Sequence, residues 1–227
     1  MPRVAVFGGS FNPIHFGHLL VADEVCEVLA LDRVLFVPAF APPHKPASDL
    51  APAPHRFRMT ALAVEEHPRF AVSGVELDRG GPSYTVDTLA ALHGRDELHL
   101  LIGSETFLDL LHWRDPGRVV RLARLVVVPR NSTGFDAEAP ASQKVLDELG
   151  LPGFVQREER GPDGAPGRSG SAEAGHPRAP LLVRAASLPI SGSDLRRRAR
   201  EGRSLAYRMP APVAAYIREH RLYRADQ

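Results

Sequence analysis

The chain has 227 residues, of which 44% are apolar and 24% charged, with a formal net charge of +1; it can bury the core of one ordinary domain, and its composition is globular rather than disordered. A charge so close to balance does not force a polyanion-binding surface, although phosphate groups can still be held locally. The single cysteine, Cys26, excludes an intrachain disulfide and a cysteine-rich zinc site, and no apolar run approaches the roughly 20 residues that span a bilayer.

The N-terminal MPRVAVFGG reaches glycine too early for a signal peptide, so a cytoplasmic protein without a membrane partner is expected. Residues 3–7 form a short β-branched strand candidate. A loop over 8–17 leads into a helix over 18–31, whose apolar positions Leu19, Ala22, Val25, Cys26 and Leu29 have helical spacing. Cys26 belongs to that apolar run and is expected to be a small core residue. Residues 34–38 make a second strand, completing a parallel βαβ unit, which puts ligand loops at the carboxyl ends of its strands.

A proline-rich loop over 38–54 precedes a helix over 55–66 and a strand over 70–76. The next helix covers 83–93, with Ser83 or Thr85 near its N-cap. An apolar strand over 98–102 ends at Gly103, a short helix over 106–111 leads to Trp113, and 125–128 is strand-like again. This alternation predicts an open, mostly parallel α/β sheet flanked by helices. Residues 156–180 break the rhythm with GPDGAPGRSGSAEAGHPRAP, the composition of a mobile Gly/Pro-rich surface insertion. The sheet resumes over 181–185, and a small C-terminal region over 190–227 holds two helices, 193–201 and 212–220. No internal repeat is apparent, and the whole of 1–227 reads as one domain.

The stretch GGSFNPIHFGH at 8–18 carries the most chemical information. Gly8 and Gly9 allow a phosphate to approach the backbone, and amides at the following helix start add donors with a favourable dipole. His15 and His18 stand three positions apart at that helix start, which brings both imidazoles toward one face, where each can donate to a phosphoryl oxygen. Zinc is the rival for the histidines, but His44 lies beyond in the proline-rich loop and His55 has no paired partner, so no third ligand stands at a recognised spacing. In ISGSDLR at 190–196, Ser191 and Ser193 offer hydroxyls and Arg196 a cationic fork for phosphate, against the plainer reading of a helix cap followed by a solvated arginine run. That run, Arg196, Arg197, Arg198 and Arg200, lacks interleaved stacking residues, so no nucleic-acid partner is expected.

Taken together, GGSFNPIHFGH, PPHK at 42–45, PSYTVDTL at 82–89, LIGSETF at 101–107, HWRD at 112–115 and ISGSDLR resemble, in order, the motifs of the bacterial nicotinate-nucleotide adenylyltransferase family of the HxGH nucleotidyltransferase superfamily. The resemblance implies a Rossmann-like fold. It implies ATP contacts from Gly8, Gly9, Ser10, Phe11, His15, Gly17, His18, Gly103, Glu105, Ile190, Ser191, Ser193 and Arg196, with His15, His18 and Arg196 acting on the reacting phosphates. Asn12, His44, Lys45, Ser83, Tyr84, Thr85, Trp113 and Arg114 would then face the pyridine mononucleotide, and the single tryptophan could stack on its ring. Two motifs depart from the family pattern: Glu105 replaces the usual aspartate after the fourth strand, and Ser193 the usual threonine. The 156–180 insertion is also longer than expected.

The implied reaction joins ATP and nicotinate mononucleotide into nicotinate adenine dinucleotide and pyrophosphate, with Mg²⁺ brought in by ATP and no metal site of the protein's own. Nicotinamide mononucleotide as acceptor, and a noncatalytic nucleotide sensor, are the competing readings. The C-terminal helices could support a homodimer.

Overall fold

The computed structural model describes residues 1–46, 48, 50–94, 96–129, 134–158 and 178–224. Its elements run β1 (Arg3–Gly9), α1 (Phe16–Val28), β2 (Arg33–Pro38), α2 (Ala53–Val64), β3 (Phe70–Val72), α3 (Val75–Arg79), α4 (Thr85–Leu92) and β4 (Glu97–Gly103). There follow α5 (Ser104–Leu108), a 3-10 turn at Leu110–His112, α6 (Pro116–Leu122), β5 (Arg124–Val128), α7 (Pro140–Glu148), β6 (Val155–Arg157), β7 (Leu181–Val183), α8 (Gly192–Arg200) and α9 (Ala211–Glu219). The seven strands order as β3-β2-β1-β4-β5-β7-β6, an α/β sheet of Rossmann-like type. The pairings of β1 with β4, β4 with β5, and β7 with both β5 and β6 are parallel, in a register that sets Ala5 beside His99 and Leu101 beside Val126.

The backbone groups into two compact units. The first comprises Met1–Phe7, Val21–Val34 and Tyr84–Ser187. The centres of its strands are apolar: Leu100, Leu101, Val126, Val127 and Val183 are all buried, as parallel strands covered on both faces require. Phe107, at 0% exposure, packs edge-on against Phe154 at 5.0 Å between ring centroids and meets Phe135 at 6.2 Å. Cys26 is buried, as its place in the apolar run of α1 predicts.

The second unit comprises Gly8–Leu20, Leu35–Ser83 and Leu188–Gln227. An aromatic chain of Phe11, Phe36 and Phe70, with centroids 5.8 and 5.2 Å apart, forms part of its core. Met59 of α2, Leu195 of α8 and Val213 and Ile217 of α9 are buried in the same unit.

Several elements differ from the sequence reading. The strand expected over 70–76 stops at Val72, because Gly74 caps α3 and Glu76 and Asp78 sit in its first turn, where carboxylates favour a helix start. Gly8 and Gly9 close β1 rather than opening a loop, and α1 starts at Phe16. Helix α4 has Tyr84 at its N-cap without a side-chain capping bond; Ser83 instead accepts the Ala41 amide on Oγ at 3.2 Å. Helices α6 and α7 and strand β6 had no counterpart in the sequence reading. Strand β6 takes in Gln156 and Arg157 of the expected insertion, whose 159–177 portion lies outside the described residues. No helix among the described residues is long and apolar enough to cross a membrane.

Candidate active site

Within the second unit, residues 8–18 are fixed by contacts whose directions follow from the chain itself. The carbonyl of His15 accepts the amides of His18 at 2.9 Å and Leu19 at 3.3 Å, which folds the first turn of α1 back on it. In return, the His15 amide donates to Nδ1 of His18 at 3.3 Å, and the two imidazoles lie 3.8 Å apart and 32° from parallel. An amide donor at Nδ1 leaves the proton of the neutral His18 ring on Nε2, so that nitrogen is a donor. Gly17 makes this pairing sterically admissible, since a Cβ there would stand 3.0 Å from His15 Nδ1. A Cβ on Gly8 would meet nothing within 4 Å, leaving open space of the kind a phosphate can enter.

Three cations converge on this loop from distant parts of the sequence. Lys45 donates from Nζ to Ser10 Oγ at 3.0 Å. Arg196 donates from Nη1 to the Asn12 carbonyl at 2.9 Å. Arg56, only 1% exposed, donates to four carbonyls: Ala39 at 2.6 Å, Ala51 at 2.8 Å, Ser10 at 2.9 Å and Phe40 at 3.0 Å. Desolvation, followed by the charges of Arg196 and Arg56, holds the Lys45 ammonium below the usual lysine range. Like charges gathered this way disfavour one another, a cost that a bound anion would relieve.

Asn12 is the centre of the cluster. It is 6% exposed; its Oδ1 accepts the Ala51 amide at 3.1 Å and the Tyr223 hydroxyl at 2.9 Å, while its carbonyl takes Arg196. At α8, Ser191 is the N-cap, accepting the Asp194 amide at 3.2 Å, and its Oγ lies 3.2 Å from that of Ser193. Arg197 is engaged by Asp194 and Glu201, so the arginine run divides: Arg196 turns to Asn12, Arg197 to its own helix.

In the first unit a different cluster forms. The Arg114 guanidinium lies 4.7 Å above the Tyr84 ring and pairs with Asp87 at 3.5 Å, joining the segment at the start of α4 to the HWRD segment. Trp113 ends the 3-10 turn half-buried, its amide donating to Leu110 at 3.1 Å. Gly103 ends β4 and caps α5, which carries Glu105 exposed in its first turn.

Comparison with known proteins agrees with this chemistry. Residues 6–198 match the model of the family described as cytidylyltransferase-like. A Thermus thermophilus protein named "Probable nicotinate-nucleotide adenylyltransferase" is 43% identical over 225 residues, covering 98% of this chain and all of its own. A Roseiflexus protein of the same name is 39% identical, covering 97% and 98%. The chain belongs to the nicotinate-nucleotide adenylyltransferase family. Its fold matches that of a Plasmodium falciparum nicotinic acid mononucleotide adenylyltransferase solved in complex with NaAD, at a TM-score of 0.67, 16% identity and 98% coverage of both chains.

Against the motifs of a nicotinate-nucleotide adenylyltransferase, the residues singled out in sequence divide between the units. Gly8, Gly9, Ser10, Phe11, Asn12, His15, Gly17, His18, His44, Lys45, Ser83, Ile190, Ser191, Ser193 and Arg196 belong to the second, and Tyr84, Thr85, Gly103, Glu105, Trp113 and Arg114 to the first. Phe11 is buried at 2% exposure, its ring 5.2 Å from that of His18, so it supports the imidazole. Sequence reading missed Arg56, Gly192, Tyr223 and Asp87. A signal existed for Arg56, which shares the buried stripe of α2 with Ala53, Met59, Thr60 and Val64; a charge in such a stripe must find buried acceptors.

Proposed function

We propose that the protein transfers the adenylyl group of ATP to nicotinate mononucleotide, giving nicotinate adenine dinucleotide and pyrophosphate, in the cytoplasm. The convergence of Lys45, Arg56 and Arg196 on the His15–His18 loop is the observation that carries this reading, and the full-length similarity to named adenylyltransferases supports it.

An oxygen of the acceptor phosphate attacks the α-phosphorus in line; the new P–O bond forms as the bond to the bridging oxygen breaks, and the electron pair leaves with pyrophosphate. A phosphate monoester is already anionic near neutral pH, its second pKa being about 6, so no strong base is required. The protein's task is to bring two anions together and to stabilise charge on the transferring group. Gly8 leaves room for the triphosphate, while the bare Cα of Gly9 admits the Phe11 ring, which a Cβ there would meet at 3.1 Å, and the Nε2–H of His18 donates to an α-phosphoryl oxygen beside His15. Arg196 with Ser191 and Ser193 restrains the departing pyrophosphate, and His44 and Lys45 face the acceptor phosphate. Tyr84, Thr85, Trp113 and Arg114 hold the pyridine ring and its carboxylate, and Glu105 reaches the ribose.

Hydroxyls, imidazoles and cations make a donor set suited to phosphate oxygens, and among the described residues no group of three or more His, Cys, Asp or Glu side chains could hold a metal ion. Such a set fits Mg²⁺ carried by the phosphates and water, where the ion screens the triphosphate charge. The C-terminal region 190–227 completes the phosphate site of a single nucleotidyltransferase domain, and the insertion 156–180 takes no part in the chemistry. Incubation with MgATP and nicotinate mononucleotide, followed by mass analysis, tests the reaction: equimolar dinucleotide and pyrophosphate are expected, and ATP left intact overturns it.

A further inference from the structure

We infer that Tyr223 is a positioning residue for the phosphate site, acting through Asn12 on the guanidinium of Arg196; the inference rests on the adenylyl-transfer reading above. Tyr223 lies 211 residues along the chain from Asn12, yet its hydroxyl donates to Asn12 Oδ1 at 2.9 Å. The same asparagine receives Arg196 on its carbonyl at 2.9 Å and the Ala51 amide on Oδ1 at 3.1 Å. The side chain of Asn12 therefore locks the chain beyond α9, its backbone locks the Arg196 guanidinium of α8, and a single residue fixes both.

The chemistry of the donor favours this role. Burial pushes the Tyr223 hydroxyl well above the usual tyrosine range, outweighing the opposite pull of the Arg196 and Arg56 charges. The hydroxyl therefore keeps its proton and donates throughout the range in which the enzyme would work. Space around Asn12 is tight as well: a Cβ on Gly192 would come within 3.0 Å of the Asn12 oxygen and 3.4 Å of Arg196 Nη1. In so close a fit, rotation of the Asn12 peptide moves Arg196 with it. Removing the Tyr223 hydroxyl takes from Oδ1 one of its donors and loosens the hold on the residue whose carbonyl receives Arg196. A displacement of about 1 Å at a group that grips a reacting phosphate can cost up to about 100-fold in rate. A hydroxyl that only filled a buried acceptor would change stability and leave kinetic constants alone.

Tyr223→Phe keeps the ring and deletes only the hydrogen bond. Turnover of this variant is expected to fall about tenfold, and its MgATP dissociation constant to rise several-fold, with the KM for nicotinate mononucleotide within about twofold of wild type. Arg196→Lys and the double variant complete a cycle. Because Tyr223 acts through Arg196, its loss should add little once Arg196 is lysine; effects that simply multiply would mean two independent residues and overturn the inference. Calorimetric titration with MgATP on the folded proteins separates the two possible failures. Wild-type protein that binds MgATP but transfers no adenylyl group overturns the proposed reaction, with Tyr223 still judged by the affinity of its variant. Turnover and MgATP affinity both retained by Tyr223→Phe, even with a lowered melting temperature, overturn the positioning role.

Discussion

The amide of His15 donates to Nδ1 of His18 at 3.3 Å, and the two ring centroids lie 3.8 Å apart with the planes tilted by 32°. The backbone thereby sets the tautomer of the neutral His18 imidazole and leaves Nε2–H as a donor, which in the proposed reaction would face the charge that develops on the transferring group. His18→Ala is expected to lower kcat by about 10² to 10³, the usual loss for one such donor, with little change in mononucleotide KM. His18→Gln, which can return an N–H near the position of Nε2, should recover part of the rate. A folded alanine variant with wild-type turnover contradicts the role.

Lys45 should govern the alkaline limb of activity. Its ammonium is held below the usual lysine range, first by desolvation and then by Arg196 and Arg56. Over the window between its folded value and the ordinary one, the unfolded chain binds more protons, so stability rises with pH there. Below that window both states are charged and the cost of crowding three cations is fully present. Lys45→Met should therefore raise the melting temperature of the ligand-free protein at neutral pH while lowering kcat/KM by about 10- to 100-fold, the worth of a hydrogen bond to a charged group. Lys45→Arg should shift the alkaline fall of kcat/KM upward, since guanidinium does not deprotonate. An unmoved alkaline limb contradicts the assignment.

Arg56 is expected to matter to folding before it matters to rate. Its removal as Arg56→Ala strips donors from the carbonyls of Ser10, Ala39, Phe40 and Ala51 at a position only 1% exposed. A loss of about 3 kcal/mol in urea unfolding is predicted, because unpaired buried carbonyls keep their desolvation cost. Arg56→Lys should be intermediate, because an ammonium lacks the planar fork that spans these acceptors. A loss under about 1 kcal/mol for the alanine variant would mean the carbonyls find other partners.

Gly8 and Gly192 offer opposite tests of space. A Cβ at Gly8 meets nothing within 4 Å, so Gly8→Ala should leave stability within about 0.5 kcal/mol and weaken MgATP binding by occupying the phosphate's space. A Cβ at Gly192 meets the Asn12 oxygen at 3.0 Å, so Gly192→Ala should cost about 1–3 kcal/mol and lower turnover together. Calorimetric melting and MgATP titration of both variants check the pair, and equal behaviour contradicts it.

Features written into contiguous residues were legible in sequence. The strand, glycine pair and offset histidines of 8–18 are local, and α8 with its Ser191 cap falls within a residue or so of its expected place. Legibility failed where a short segment satisfied two patterns: 73–76 continues the strand in sequence but turns helical behind Gly74. It failed more completely where a residue's purpose lies across the chain. Nothing near Tyr223 announces a partner 211 residues away, and nothing near Gly192 announces that the Asn12 carbonyl passes close by. Lys45 and Ser10 were both singled out, but for different ligands; their 3.0 Å contact joins the two assignments at one point of the loop.

Acceptor choice is the central claim, and pyrophosphate release from MgATP measured in parallel with nicotinate mononucleotide and nicotinamide mononucleotide tests it most directly. Strong preference for the acid is predicted. Equal or greater release with the amide, or none with either, would contradict it.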